Sequence, residues 1–423
     1  MSFNNTVISI LGSSGGVAKS ILSILNKSAN DPEDSIYKYI KLSKIHLIDH
    51  KQREESYYNN LFPNLENQFV IHQFDLSDTN NFINHLKQSM TSLVIDVSRA
   101  DTVKMLETCD KLGIKYVNTA VESTIIDGNE EQDERFGLIE RFKILEKKKN
   151  LLNNSTSIIG SGMNPGVVQW MAIQLINMYK DEGKPLGCYI VEHDNTFYKN
   201  NKIAKENVIY TTWSPEGFLD EAILNYPMFM KQHTPHFLYD RVYDVEFKVT
   251  LGDKQFYGCL MPHEEVLTLG KQFDFECGFL YKVNDHTTEL IRSNIDELDK
   301  LWSLEKKVLD PLESTLIGED LIGVLLVYED KERFIYNIGN NNAILKKYKT
   351  NATYFQVACG VYASLAVLLL DQIPKGAYYV DELLLKTSNN YGKYLSYYMT
   401  DFVIGENNRS EGLLHQRLKR PLK

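Results

Sequence analysis

Six short apolar runs mark the first third of the chain: TVISIL, KIHLID, FVIHQF, SLVIDVS, KYVNTA and STSIIGS, each followed by a helix-length amphipathic segment. Runs of that length without strict alternation predict strands buried on both faces of a parallel sheet, joined by crossover helices. After Gly166 the pattern changes. A helix is predicted over Val167–Tyr179, then longer alternating strands in YDVEFKVTLGDKQFYGCLM and LIGVLLVYEDKERFIYNIG, with Gly252-Asp253 as a hairpin turn. A strongly apolar helix from about Thr353 to Leu370 ends before Pro374, and AYYVDELLL reads as strand-like ahead of a Tyr-rich tail. The expected architecture is α/β: a Rossmann-type parallel sheet in residues 1–164, an α+β substrate domain in 165–345, and a C-terminal helical segment, 346–423, packing back on the first domain.

Composition narrows this only slightly. With 423 residues, 43% hydrophobic and 24% charged, the chain has ample material for two or three folded domains. A formal net charge of −10 argues against a nucleic-acid partner and allows a cationic ligand. The five cysteines, Cys109, Cys188, Cys259, Cys277 and Cys359, are scattered and form no Cys-x-x-Cys pair, so neither a disulfide framework nor a thiolate metal site is expected. The N-terminus shows no leader pattern, and the apolar stretch around Leu365–Leu370 reads as too short for a bilayer, so a cytoplasmic protein without a membrane partner is expected. There is no His-Glu-x-x-His, and the ten histidines do not cluster along the sequence, so no catalytic metal is expected.

Between the first strand and the first helix lies ILGSSGGVAKSIL, with Gly12, Gly15 and Ala18 in a Gly-x-x-Gly-x-x-Ala spacing. Small residues there suit a tight turn, close approach of a pyrophosphate and helix amides facing an anion; Ser14 and Gly16 complete the turn. A plain strand-to-helix bend would use the same residues, and the stricter Gly-x-Gly-x-x-Gly fails at Ser14 and Val17. Asp49 ends the second run, where an acid would accept from the adenosine ribose and repel a 2′-phosphate, favouring NAD over NADP.

Further along, GSGMNPGVVQW places Asn164 as a helix N-cap and Pro165 in the first helical turn. In TTWSPEGFLDEAI, Ser214 caps a helix, Pro215 enters its first turn, Trp213 stands just outside and Glu221 lies on the second turn. Glu192 and Asp194 in VEHDN alternate, which puts both carboxylates on one side of a strand, and His263-Glu264-Glu265 opens another helix. Taken in order with VIDVSRADTVKMLETCDKLGIKYVNTAVES, LMPHEEVLTLG, GEDLIGVLLVY, NATYFQV and VDELLL, these stretches resemble the bacterial-type homospermidine synthases of the saccharopine-dehydrogenase-like superfamily.

The resemblance implies that bound NAD recycles a hydride while two putrescines become homospermidine and ammonia through imine and Schiff-base steps, in a homodimer. It implies catalytic roles for Trp213, Glu221, His263, Glu192 and Asn164, and substrate contacts from Asn118, Glu122, Asp194 and Glu265. Asp96, Ser98 and Thr119 would join the cofactor site, with Asp320 and Gln356 in support. An indole face attracts a desolvated ammonium by about 2 kcal/mol, which gives Trp213 a physical reason to be there. The sequence departs from the family pattern at Thr211, Glu264, Lys282 and Asn118; a cationic Lys282 pointing into the pocket would oppose a diamine. Rival readings are a saccharopine or carboxynorspermidine type of NAD(P)H-dependent condensing dehydrogenase, which an arginine set would favour, and a non-catalytic dinucleotide-binding regulator.

Overall fold

A computed structural model describes residues 6–51, 53–127 and 134–420. It divides into two compact units: Met1–Glu131, Ile139–Val167 and Phe355–Met399 form one, and Gln132–Leu138, Val168–Tyr354 and Thr400–Lys423 the other.

Among the described residues, the first unit holds a seven-stranded sheet whose pairings are all parallel. Its first six strands in sequence are β1 (Val7–Leu11), β2 (Lys44–Asp49), β3 (Phe69–Gln73), β4 (Leu93–Asp96), β5 (Lys115–Asn118) and β6 (Thr156–Ile159). They fall on the six apolar runs because strands covered by helices on both faces have no polar side to alternate with. The strands run outward in both directions from β1, with β2 on one side and β4 on the other, so the sheet reverses between β1 and β4; in such sheets ligands settle beyond the carboxyl ends at the reversal. The outer neighbour of β6 is Gly376–Tyr379. Only the first part of AYYVDELLL is therefore strand; Val380–Lys386 is helix, since Glu382 reaches back to accept from the Tyr379 amide at 3.2 Å and Leu, Glu and Lys favour helix once that first turn is capped.

The NPG segment also differs from expectation. The helix runs from Val167 to Met178, but Pro165 precedes it rather than sitting in its first turn, and Asn164 is not its cap. Instead Met163–Pro165 form a turn, closed by the Gly162 amide donating to Pro165 O at 2.8 Å and the Val167 amide donating to Gly162 O at 3.1 Å, and the Asn164–Pro165 peptide is cis.

The second unit is built on a ten-stranded mixed sheet. At its centre Gly187–Asp194 runs parallel to Glu276–Lys282 and antiparallel to Glu319–Val327. One face carries the core, including Tyr189, Val191, Phe247, Leu260, Leu280, Leu321 and Leu325. The hairpin at Gly252-Asp253 pairs Leu251 with Lys254, and Gly252 takes the positive φ of +66° that such a turn requires. Of the expected C-terminal segment, Phe355–Met399 groups with the first unit and Thr400–Lys423 with the second, because Val403–Asn407 pairs with Glu332–Asn340 and Leu418–Lys419 with Glu246–Leu251. Arg417 makes a fully buried ion pair with Glu332 there.

The apolar C-terminal helix lies where it was expected, but its apolar stretch is not too short for a bilayer. It spans Ala352–Leu370 and is long and apolar enough to cross a membrane by length and composition, with 78% of it buried within the protein. A helix apolar on every side is also what an enclosed core helix looks like.

Candidate active site

In the first unit, the turn after β1 is built around Gly12, whose φ is +75°; a Cβ there would stand 2.7 Å from Val97 O and 2.9 Å from Ser98 Cα, so only glycine fits. Helix α1 (Gly16–Ser28) starts on a Gly15 N-cap with no side chain to cap its amides. Asp49, at the end of β2, accepts from the Ser14 amide at 2.9 Å and the Lys51 amide at 3.1 Å. Burial pulls its carboxyl upward, but those amides and His50 outweigh it and hold the pKa below the ordinary 3.8, so Asp49 stays ionised.

The other first-unit candidates are engaged with their neighbours. Buried Asp96 accepts from Tyr116 Oη at 2.8 Å and from both the amide and hydroxyl of Ser98, at 3.0 and 2.7 Å. Asn118 donates to Ala120 O at 2.6 Å and accepts from the Gly160 amide at 2.9 Å, which ties the ends of β5 and β6 together. Thr119 follows, half-buried, and the Glu122 backbone exchanges hydrogen bonds with Thr102. Asn164 lies in the turn before Val167.

In the second unit, register places the acids. Within Gly187–Asp194, Glu192 lies opposite Tyr281 and Asp194 opposite Asp320. Side chains alternate along a strand, so Glu192, Asp194, Tyr281 and Asp320 share one face, turned away from the apolar core. Lys282 lies opposite His193 and therefore on the other face, where it pairs with Asp285 at 3.2 Å. The cation that would have opposed a diamine points elsewhere.

Asp194 accepts from Thr212 Oγ1 at 2.6 Å and from the Thr196 amide at 3.0 Å. Thr353 Oγ1 lies 2.5 Å from Asp320 Oδ2 and 2.8 Å from Thr212 Oγ1. One hydroxyl proton cannot serve both contacts, so the network closes when Asp320 carries a proton. Its pKa agrees, since burial and then the neighbouring Asp194 charge raise it well above the usual carboxylate range. Trp213 Nε1 donates to Tyr281 Oη at 3.3 Å, and the Tyr281 phenol is pushed well up by burial and by Glu192, Asp194 and Asp320. Ser214 caps its helix as expected, accepting from the Gly217 amide at 3.1 Å, which fixes Trp213 just ahead of the first turn.

Aromatic rings connect this group to the second cluster. Tyr281 stacks on Phe279 at 5.7 Å, and Phe279 meets the His263 ring edge-on at 4.9 Å. His263 occupies the N-cap position of Glu264–Gln272 without capping it; its Nδ1 is bonded to Glu265 Oε2 and lies 3.6 Å from Glu264, and its Nε2 lies 3.6 Å from Glu221. Burial would lower the imidazole pKa, but Glu265, Glu221 and Glu264 reverse that and hold it well above 6.5. Glu221 is driven up to about 8, by burial first and by the other carboxylates against the counteracting His263. Glu221 Oε2 and Glu265 Oε1 are buried without hydrogen-bond partners among the described residues.

Comparison with known proteins follows the same lines. No family model matches the chain. Over 351 residues it is 25% identical to a homospermidine synthase of Mesorhizobium japonicum, covering 69% of this chain and 70% of that one. Saccharopine dehydrogenase (L-Glu forming) from Saccharomyces cerevisiae superposes with a TM-score of 0.57 at 11% identity, covering 95% of this chain and 99% of that chain. The fold is that of saccharopine dehydrogenase. Since this likeness extends over nearly the whole chain, the parallel-sheet unit and the mixed-sheet unit both belong to the saccharopine dehydrogenase architecture.

Within the second unit the structure brings together Trp213, Glu192, Asp194, Glu221, His263 and Glu265, taken from three separate stretches. It adds Tyr281, Thr212 and Thr353, for which the sequence carried no signal: each is an ordinary residue in a strand, loop or helix until strand pairing sets it beside an acid. Histidines scattered along the sequence do cluster in space, since His46, His72 and His85 meet in the first unit. Burial first, and then one another's charge and that of Lys44, hold them low, His46 at about 4 and His85 at about 3.

Proposed function

We propose that the chain is an NAD-linked oxidoreductase that condenses amines, converting two putrescines into homospermidine and ammonia. The observation that carries this reading is the buried carboxylate and imidazole cluster of Glu221, His263, Glu264 and Glu265, joined through Phe279 and Tyr281 to Glu192, Asp194 and Trp213. An acid-lined face with an indole on it suits an alkyl diammonium, whereas an amino-acid or keto-acid substrate would call for arginines. The likeness to a homospermidine synthase supports the same substrate class.

The cofactor is NAD. The Gly12 turn and the uncapped α1 amides suit a pyrophosphate, and ionised Asp49 suits ribose hydroxyls and repels a 2′-phosphate. When bound, NAD would supply a hydride acceptor and, once reduced, a hydride donor. Everything else falls to side chains. A diamine arrives as an ammonium and must lose a proton before its neighbouring carbon can lose hydride; Glu221 in its ionised form takes that proton, its pKa of about 8 making it a stronger base than an ordinary carboxylate. His263 moves protons while water enters the imine, ammonia leaves and the second amine condenses with loss of that water. Glu192 and Asp194 hold the distal ammonium, and Trp213 presents its ring to the cation.

Incubating the purified chain with putrescine and NAD⁺ and following products by mass spectrometry tests the proposal. Homospermidine and ammonia should appear in equal amounts with no net NADH. Net consumption of NAD(P)H with an amino acid and a keto acid would favour the saccharopine type of reaction, and tight NAD⁺ binding without any product would leave a regulator.

A further inference from the structure

Three histidines far apart in sequence meet in the first unit: His46 on β2, His72 on β3 and His85 on the helix Thr79–Ser89. His46 lies opposite Val70 and His72 opposite Ile48, so both project from one face of the sheet, the face on which the helix lays His85. One ring nitrogen from each lies within 4.8 Å of the other two. His46 Nδ1 is 2.8 Å from His72 Nε2, and the His72 and His85 ring centroids are 4.5 Å apart. His46 and His85 are buried, and His46 Nε2 has no hydrogen-bond partner among the described residues.

A chain of hydroxyls sets the tautomer of His85. Ser89 Oγ donates to His85 O at 2.7 Å, and so is left to accept from Thr91 Oγ1, 2.7 Å away. With its proton so committed, Thr91 accepts from Ser9 Oγ at 2.7 Å, and Ser9 in turn accepts from His85 Nε2–H at 3.0 Å. That leaves His85 Nδ1 with a bare lone pair, and a neutral imidazole whose far N–H is held by an outer partner is how metal-ligating histidines are oriented.

We propose that His46, His72 and His85 form a binding site for a divalent transition-metal ion of the zinc class. Neutral imidazoles suit such an ion, and a zinc at about 2.0–2.1 Å from tetrahedral ligands spaces their nitrogens roughly 3.3 Å apart. The His46–His72 pair opens by about half an ångström to admit it, giving up its mutual hydrogen bond. Lys44, the charged side chain that bears on His46 and His72, is exposed. The ion clamps β2, β3 and the helix together, three residues before β2 ends in Asp49, so its role is to brace the sheet rather than to act in catalysis.

Tag-free full-length protein, stripped with chelator, is titrated with Zn²⁺ by calorimetry and with Co²⁺ by visible absorption. One saturable equivalent and a metal-dependent rise in melting temperature are expected. His72→Ala, at a half-buried position, should weaken binding at least 100-fold, and Ser9→Ala, which removes the outer partner of His85, about 10–100-fold. His263→Gln keeps full binding, because it lies in the separate imidazole and carboxylate group. Absence of saturable binding to wild type, affinity unchanged in Ser9→Ala, or binding lost in His263→Gln would each overturn the proposal. Should His72→Ala lose its native far-UV dichroism, the wild-type and Ser9→Ala titrations still decide.

Discussion

Replacing Glu221 by glutamine tests the electrostatics of the candidate site through stability alone, with no assumption about substrate. In the folded protein the carboxyl titrates at about 8 against an ordinary 4.5, with burial as the main cause. At about 1.4 kcal/mol per tenfold, ionising it in place costs about 5 kcal/mol when fully developed. The sign follows from the raised value. The folded state holds this proton more tightly than the unfolded chain, so stability is fully present below pH 4.5 and is lost as pH rises through about 8. Between about pH 5.5 and about pH 8.5 the group alone accounts for a loss of about 3 kcal/mol. Glu221→Gln keeps the shape and cannot ionise, so it should lack this component while keeping a contribution from His263, whose raised pKa acts in the same direction. Urea unfolding of both proteins at the two pH values measures the difference. Equal pH dependence in the two would refute the claim that burial raises the Glu221 carboxyl to about 8.

Gly12→Ala forces a side chain into a positive-φ position 2.7 Å from Val97 O, and should cost about 1–3 kcal/mol of stability with at least a tenfold loss of NAD⁺ affinity, read by thermal melts and fluorescence titration. Arg417→Ala strands Glu332, whose remaining partners are the Asn407 amide and the Glu411 N–H, each at 2.7 Å, and should cost about 3–5 kcal/mol in urea unfolding. Lys282→Ala should leave the KM for the diamine within about twofold, since Lys282 sits on the face opposite Glu192; a tenfold change would place it in the site instead.

What the sequence disclosed depends on the range of the interactions concerned. The six parallel strands were legible because double-sided burial leaves an unmistakable apolar run, and the Ser214 cap because capping is local. Glu192 and Asp194 fell on one face by the period of a strand alone. Lys282 was ambiguous because its direction depends on pairing with His193, a strand that lies about ninety residues earlier in the chain. The helix Val380–Lys386 was misread as strand since three consecutive leucines fit either pattern and only the reach of Glu382 decides. Pro165 was misplaced for a similar reason: the Gly162–Gly166 bridge that holds it outside the helix has no sequence signature. The histidine trio carries no spacing rule at all, as it exists only once β2, β3 and a helix have been assembled.

The way the chain is partitioned has a consequence for its synthesis. The first unit gains its outermost strand, Gly376–Tyr379, more than two hundred residues after β6, and the second gains Arg417 and the Leu418–Lys419 strand only after all its other strands have been made. Neither sheet can therefore complete itself as its first strands emerge, and open edges persist while the segments that cover them are still being synthesised. A newly made chain should depend on holding chaperones until Leu418–Lys419 has emerged.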